Sequence, residues 1–128
     1  MNNKDKLYTY KAYVKDVYDG DTITVDISLG FNVTMTDIKV RLVGIDTPEV
    51  RTKDLDEKEK GLATRDWLRE RILGKKVLLH TVKRGKFGRW LGTIWEIEQD
   101  KPEFENSYNK QLINEGLAKE YWGGKRWN

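Results

Sequence analysis

The feature that most constrains the fold is an alternation of apolar and polar residues in two neighbouring segments. It runs cleanly through residues 22–28 and returns in residues 36–45. A period of two places successive side chains on opposite faces, which is the pattern of a half-buried β-strand. Gly30 and Asn32 lie between the two segments and favour a turn. The sequence therefore predicts a loose β-hairpin with one apolar face.

The second of these segments ends in residues that cannot continue a sheet. Arg41 precedes a short apolar run, which is followed by Asp46, Thr47, Pro48 and Glu49. Pro48 lacks a backbone N–H group and biases the preceding residue toward an extended conformation. The strand therefore stops abruptly and brings two carboxylates and a guanidinium to one edge of the fold. Charged groups placed in this way predict a site for a metal ion and a phosphate.

The remaining patterns complete a small, mainly β fold. Further strands are predicted at 7–17, 75–82 and 89–97, a solvated loop at 50–60, a helix at roughly 58–73, and a short helix capped by Asn109. Five strands, with a helix between the third and fourth and a short helix after the fifth, match the order of a five-stranded OB-fold barrel. An SH3-like barrel and a small α+β sandwich are also compatible with the pattern.

Length and composition indicate one domain with one core. The chain has 128 residues, of which 38% are hydrophobic, and we expect a single domain over 1–128 with flexible tails at 1–6 and 121–128. The net charge of +3 allows a basic binding face without a polybasic coat. The absence of cysteine excludes disulfides and thiolate metal sites.

The sequence does not fix a compartment. No apolar run approaches the ~20 residues of a membrane span, so no membrane partner is expected. The N-terminus has no apolar segment typical of a signal peptide. Both a cytoplasmic protein and a mature secreted form that lacks its signal fit these observations.

Acidic residues in two segments predict the metal site. Asp19 and Asp21 flank a turn glycine at the start of the second strand, and Asp46 follows the third strand. Because these strands form a hairpin, the start of one lies beside the end of the other. Two carboxylates without a nearby histidine or cysteine suit a hard cation such as Ca²⁺ or Mg²⁺. The carbonyl of Thr47 is a further candidate ligand.

Two arginines and one glutamate predict the chemistry beside that cation. Arg41 and Arg89 can hold phosphate oxygens through paired N–H groups. Together with the cation they oppose the negative charge that develops during phosphodiester hydrolysis. Glu49 is then available to orient or deprotonate an attacking water. A water polarised by the cation is the alternative nucleophile.

Four short motifs stand in order along the chain, at residues 19–22 (Asp-Gly-Asp-Thr), 41–49 (Arg-Leu-Val-Gly-Ile-Asp-Thr-Pro-Glu), 86–89 (Lys-Phe-Gly-Arg) and 109–119. Together they resemble the staphylococcal nuclease (thermonuclease) family over about residues 10–120. The resemblance implies an OB-fold endonuclease that uses one Ca²⁺ ion to hydrolyse DNA and RNA with low sequence specificity, leaving 3′-phosphate ends.

The resemblance also implies a role for each site residue. It implies that Asp21, Asp46 and the Thr47 carbonyl bind calcium and that Asp19 reaches the ion through water. The catalytic residues that it implies are Arg41, Glu49 and Arg89.

Aromatic and basic residues near the site are expected to bind the substrate, namely Lys86, Phe87, Tyr121 and Trp122. Phe87 stands where the family prototype has a tyrosine, so stacking remains possible without the hydroxyl. Tyr121 and Trp122 replace a two-tyrosine platform. Bases that stack on such residues must be splayed out, so we expect a preference for single-stranded nucleic acid. We also expect a monomer with two helices, where the prototype has three.

Two other functions remain open at this point. One is a non-catalytic OB-fold module that binds nucleic acid or protein. The other is a small calcium-stabilised interaction domain, in which chelation lowers the melting temperature but no nucleic acid is cut. The chain keeps an acid at each implied metal position, and this favours the nuclease.

Overall fold

The computed structural model describes residues 7–85 and 88–123. Within them the strands are β1 (Thr9–Asp19), β2 (Thr22–Gly30), β3 (Val33–Leu42), β4 (Gly44–Asp46), β5 (Lys76–Arg84), β6 (Trp90–Glu96) and β7 (Lys119–Tyr121). The α-helices are α1 (Leu55–Ile72) and α2 (Tyr108–Asn114), and a 3₁₀ turn covers Phe104–Asn106. No helix in these residues is both long enough and apolar enough to cross a membrane.

Five strands close into a barrel in the order β1-β2-β3-β6-β5. All neighbours in the barrel are antiparallel except β3 and β6, which run parallel. Helix α1 lies between the third and fourth barrel strands, and α2 follows the fifth. This architecture confirms the predicted mainly β, OB-type barrel.

The alternating residues of the strands fill the barrel interior. Val25 on β2, Val40 on β3 and Ile94 on β6 are fully buried. Helix α1 closes the core with Leu68 and Ile72, which are also fully buried. Each large aliphatic side chain buried in this way stabilises the fold by roughly 1.5–3 kcal/mol relative to an exposed one. The barrel core therefore provides a rigid base for the loops at its ends.

The hairpin between β2 and β3 is tight, so the predicted loose turn is wrong. Only Phe31 and Asn32 connect the strands, with φ angles of 56° and 61°. Positive φ at both central residues is the type I′ geometry, which matches the right-handed twist of the paired strands. Asn tolerates this conformation well, but Phe31 is not a residue that signals such a turn.

The predicted third strand splits in two before the acidic residues. Strand β3 ends at Leu42, and Gly44 adopts a φ of 79° that favours glycine. Strand β4 then leaves the barrel and pairs with β7, with Asp46 opposite Lys119. The predicted end at residue 45 is therefore wrong, because the chain changes sheets at the glycine.

Helix α1 begins earlier than predicted. Its N-cap is Asp54, whose side chain accepts hydrogen bonds from the backbone N–H groups of Asp56 and Glu57. These two acids also interact favourably with the positive end of the helix dipole. The first turns are exposed, so they lack the apolar periodicity that would have revealed them. The predicted loop over residues 50–60 is therefore helical from Leu55 onward.

Helix α2 is capped by Ser107 and not by Asn109. The Ser107 hydroxyl accepts a hydrogen bond from the N–H group of Lys110. Asn109 is instead fully buried inside the helix. Its amide accepts from Ile94 N at 3.1 Å and donates to Val43 O at 2.9 Å and to a carbonyl of β6 at 3.1 Å. Asn109 therefore ties the junction between β3 and β4 to strand β6.

Candidate functional site

The candidate site lies at the end of the barrel where β1 and β3 end and β2 begins. Asp19 ends β1 and Asp21 lies in the turn that follows, and the strand register pairs Asp19 with Thr22 and Thr22 with Arg41. Arg89 directly precedes β6, which pairs with this end of β3. Its Nη1 donates a long hydrogen bond of 3.5 Å to Thr22 Oγ1. These pairings gather two acids and two arginines around one threonine.

Two buried carboxylates face the same guanidinium. Asp21 and Asp46 are each 7% exposed, and Arg41 Nη2 lies 3.4 Å from Asp21 Oδ2 and 3.9 Å from Asp46 Oδ1. Asp21 also accepts hydrogen bonds from Thr22 Oγ1 and Thr47 N, at 3.2 and 3.4 Å. Buried carboxylates require such partners, because desolvation penalises an isolated charge. The structure therefore brings Asp21 and Asp46 to one point.

Two backbone carbonyl groups hold the Arg41 guanidinium in this position. Its Nη1 donates to Leu42 O at 2.6 Å, and its Nη2 donates to Ile45 O at 2.8 Å. These two carbonyls lie on either side of the break between β3 and β4, so the guanidinium holds the strand end in place. An arginine has five N–H groups, and those beyond these contacts are available to an anion.

The pKa of the Asp19 carboxyl depends on its burial and on the charges of the other site residues. This pKa is raised from 3.8 to about 6, and burial is the largest cause. The negative charges of Asp21 and Glu49 contribute to the same rise. The positive charges of Arg41 and Arg89 lower it and so offset part of the rise. Five of the predicted site residues are therefore close enough to interact through their charges.

These side chains line a single cleft of about 250 Å³. Its lining residues are Tyr18, Asp19, Asp21, Thr22, Arg41, Thr47, Glu49, Arg51 and Arg89. The cleft thus combines three arginines with three acids and three hydroxyl groups that come from separate elements. Asp46 lies behind this lining, buried against Arg41.

A larger groove of about 880 Å³ lies on the other side of residues 46–49. The first turn of α1 contributes Asp56 and Glu57 to its wall, together with the cap residue Asp54. Five acidic residues line this groove against two lysines, whereas the smaller cleft has three acids and three arginines, whose guanidinium groups bind phosphate. The smaller cleft is therefore the better candidate for phosphate chemistry, despite its size.

Helix α1 closely contacts the backbone of both segments that carry the site acids, at Gly20 and at Glu49. A Cβ atom at Gly20 would lie 2.3 Å from the Thr64 side chain, and one at Gly61 would lie 2.6 Å from Glu49 O. Neither contact leaves room for a side chain. The Glu57 carboxylate also accepts a hydrogen bond from Glu49 N at 3.2 Å. The helix thus fixes the backbone on both sides of the cleft.

The oxygen atoms at this point fit a hard cation. Thr47 Oγ1 and Asp19 Oδ1 are buried and have no hydrogen-bond partner among residues 7–85 and 88–123. Buried oxygens of this kind are normally satisfied by water or an ion. No group of three or more acidic, histidine or cysteine side chains suited to a metal occurs in the described residues. The predicted set of Asp21, Asp46 and the Thr47 carbonyl therefore needs water to complete a shell of ~6–8 oxygens.

Of the four residues predicted to bind substrate, the two that the structure describes, Tyr121 and Trp122, do not line the cleft. Lys86 and Phe87 lie outside the described residues. Tyr121 ends β7, opposite Gly44, and it does not line the cleft. Trp122 packs against Gly44 and on the ring of Phe104, with ring centroids 5.0 Å apart. Of the segment predicted as a C-terminal tail, Tyr121 therefore belongs to a strand, and residues 124–128 are outside the described part.

Three lining residues were not among the predicted site residues, namely Tyr18, Thr22 and Arg51. Tyr18 and Thr22 flank the Asp-Gly-Asp turn in the sequence, and that proximity is a signal that could have identified them. Arg51 follows Glu49 by two residues, but it falls in the segment that was interpreted as a solvated loop. Its place in the cleft depends on the path of the chain after Pro48.

Comparison with known proteins agrees with this geometry. Residues 39–126 match the family described as staphylococcal nuclease homologue. The matched region contains Arg41, Asp46, Glu49 and Arg89 and begins after the turn that carries Asp21.

Two curated relatives are similar to a larger share of the chain. The chain is 31% identical to the thermonuclease of Staphylococcus intermedius over 108 residues, which cover 83% of this chain and 56% of the relative. It is 32% identical to Protein ParB of Escherichia coli over 114 residues, which cover 87% of this chain and 57% of the relative. The chain thus spans little more than half the length of these relatives. Because the family match covers more than half of the chain, the chain belongs to the staphylococcal nuclease family.

Proposed function

We propose that this domain is a calcium-dependent endonuclease that hydrolyses phosphodiester bonds of DNA and RNA with low sequence specificity. One observation carries the proposal. The buried carboxylates of Asp21 and Asp46 meet Arg41 beside a cleft that Arg89 and Glu49 also line. Membership of the nuclease family supports the same chemistry. Oxygen ligands without nitrogen or sulfur favour Ca²⁺ or Mg²⁺ over softer metals.

The proposed cation site uses Asp21, Asp46 and the carbonyl of Thr47, with Asp19 reaching the ion through water. When bound, Ca²⁺ supplies positive charge beside the phosphate and offsets the charge that develops during hydrolysis. Burial is the largest cause of the raised pKa of Asp19, and the charges of Asp21 and Glu49 add to it. Buried acids that repel one another destabilise the metal-free protein, and a cation converts this repulsion into attraction.

The chain's own residues carry the remaining steps. The Glu49 carboxylate accepts a proton from water, whose oxygen attacks the phosphorus. The P–O5′ bond then breaks, the 5′ oxygen takes up a proton from solvent, and the 3′ end keeps the phosphate. Arg41 and Arg89 donate hydrogen bonds to the phosphate oxygens, where negative charge increases in the transition state. The preformed position of Arg41 means that little reorganisation accompanies the reaction.

The dimensions of the cleft support a single-stranded substrate. A volume of about 250 Å³ is small even for a ligand pocket and accepts a phosphate with part of its nucleotide, not a duplex. A strand with unpaired bases can enter such a site without the energy needed to unpair a duplex. We therefore expect faster cleavage of single strands and frayed ends than of duplex interiors.

Two substitutions test the catalytic assignment. Glu49→Gln removes the base while keeping the shape, and Arg89→Ala removes one phosphate contact. Each should lower kcat by at least ~10²-fold, as expected for loss of a transition-state contact. Glu98→Gln is the control, because Glu98 is exposed and lies outside the cleft. Nearly full activity in Glu49→Gln would show that the assigned roles are wrong, and nucleic-acid binding without cleavage by the unsubstituted chain would indicate a binding module.

A further inference from the structure

The cleft contains an aromatic side chain to which the proposed reaction gives no role. Among the described residues that line it, Tyr18 is the only aromatic one. Of the aromatic residues predicted to stack on bases, Tyr121 pairs with β4 and Trp122 packs on Phe104, while Phe87 is outside the described residues. Proteins that bind single strands combine cationic groups with aromatic rings on which bases stack. Tyr18 is placed to supply that ring.

The position of Tyr18 on β1 leaves its ring available. The preceding Val17 is fully buried, whereas Tyr18, at an irregularity in the pairing of β1 with β2, is 45% exposed. The following residue is Asp19, at the turn that borders the metal-binding point. Within the described ranges, no aromatic ring packs on Tyr18 and no cation lies over it. A partly exposed ring beside the reacting phosphate is suited to receive the attached base.

Arg51 provides a cationic group at the same cleft. It is exposed and follows Glu49 by two residues, and the structure shows no salt bridge for it among the described residues. Arg41 uses two of its N–H groups on backbone carbonyls, so only the remaining ones can reach a phosphate. An exposed guanidinium without an acidic partner retains its capacity to bind a phosphate.

We infer that Tyr18 and Arg51 form a nucleotide subsite beside the scissile phosphate. The Tyr18 ring stacks on an unpaired base, and Arg51 binds a neighbouring phosphate of the same strand. This inference rests on the proposed nuclease function and adds a determinant of substrate choice to it. Because every base has a stacking face, the subsite selects unpaired strands without selecting a sequence.

The test measures binding separately from cleavage. A fluorescent single-stranded oligonucleotide is titrated with the Glu49→Gln protein in Ca²⁺, followed by fluorescence anisotropy. Adding Tyr18→Ala should weaken binding about 10-fold or more, the effect of losing a base–aromatic stack. Tyr18→Phe should bind within about twofold, because stacking does not need the hydroxyl. Tyr13→Ala is the matched control, because Tyr13 is 44% exposed on the outward face of the same strand but does not line the cleft.

An abasic oligonucleotide separates stacking from a structural effect. If Tyr18 stacks on a base, Tyr18→Ala should lower affinity for the normal strand and have little effect on the abasic strand. Arg51→Ala should weaken binding to both strands and reduce the slope of log K against log salt by about 0.7, the value for one phosphate contact on a single strand.

Two results would overturn the subsite. One is normal-strand affinity unchanged by Tyr18→Ala, and the other is equal loss on normal and abasic strands. If the unsubstituted chain cleaves nucleic acid while Tyr18→Ala binds as well as its parent, only the subsite is wrong. If the chain neither binds nor cleaves nucleic acid, the proposed function itself fails and the subsite fails with it.

Discussion

Replacing Gly61 with alanine should reduce activity although it favours the helix locally. Gly61 lies inside α1, where a Cβ atom would stand 2.6 Å from Glu49 O and 2.9 Å from Pro48 O. An ordinary contact begins near 3.4 Å, so the backbone at Glu49 must move by about 0.8 Å. That backbone carries the proposed catalytic base.

The two effects of this substitution have opposite signs on stability. Alanine is better than glycine in a helix interior by about 1 kcal/mol. Overpacking a tight contact typically destabilises by ~1–3 kcal/mol, so we expect a net loss of up to about 2 kcal/mol. A shift approaching 1 Å in a catalytic group can reduce the rate by ~10²-fold. Gly61→Ala should therefore lower kcat by about 10–100-fold while the chain stays folded.

Steady-state kinetics on a single-stranded oligonucleotide and urea unfolding would measure both effects. Glu59→Ala is the control, because it also introduces alanine into α1 but at an exposed position. It should leave kcat unchanged. Unaltered kcat and a stability gain of about 1 kcal/mol in Gly61→Ala would refute the reasoning, because they would show that the contact does not fix Glu49.

The remaining predictions concern Asp19, Asn109 and the cation. Because the pKa of Asp19 is raised to about 6, this residue destabilises the metal-free fold as pH rises from about 4 through 6. Asp19→Asn should therefore raise Tm at about pH 7.5 and leave it unchanged near pH 3; equal effects at both pH values would contradict this. Asn109→Ala removes three hydrogen bonds to the backbone, including the one from the buried N–H group of Ile94, and should destabilise by about 3 kcal/mol in urea unfolding. Asn114→Ala, at an exposed position of the same helix, should change stability by less than ~0.5 kcal/mol. Ca²⁺ should raise the Tm of the unsubstituted chain, and EDTA should reverse the rise without altering the circular dichroism spectrum. An equal Tm with and without Ca²⁺ would argue against the cation site.

The barrel could be predicted because the burial of one face of each strand requires apolar residues at alternate positions in the sequence. Val25 and Val40 alternate with polar neighbours, and this period of two reports which face is buried before any partner strand is known. The position of Asp21 beside Arg41 also follows from the sequence, because a hairpin places the start of one strand next to the end of the other. These features depend on neighbours that are close in the chain.

The features that could not be predicted depend on distant parts of the chain. Strand β4 leaves the barrel at Gly44 because β7 pairs with it, and β7 lies about 75 residues later. Asn109 looks like a helix cap in sequence, but its amide is used by strands that precede it. The same limit applies to Gly61, which weakens a helix in isolation and is needed because α1 packs against Glu49.

The residues that line the cleft show most clearly what local sequence cannot predict. Asp46 and Glu49 were identified from a local motif, whereas Arg51 lies only two residues further along and was assigned to a solvated loop. Local composition cannot show which way a charged side chain points once a proline has redirected the chain. Only the arrangement of β1, β3 and the loop before α1 places Tyr18 and Arg51 in one cleft.

We propose that this chain cuts nucleic acid with a calcium ion at Asp21 and Asp46. The most direct measurement incubates the unsubstituted chain with a labelled single-stranded oligonucleotide in Ca²⁺, in Mg²⁺ and in EDTA, and then determines the ends of the products. We expect cleavage in Ca²⁺ that yields 3′-phosphate and 5′-hydroxyl ends, and no cleavage in EDTA. Equal cleavage in EDTA, or intact oligonucleotide in Ca²⁺, would contradict the claim.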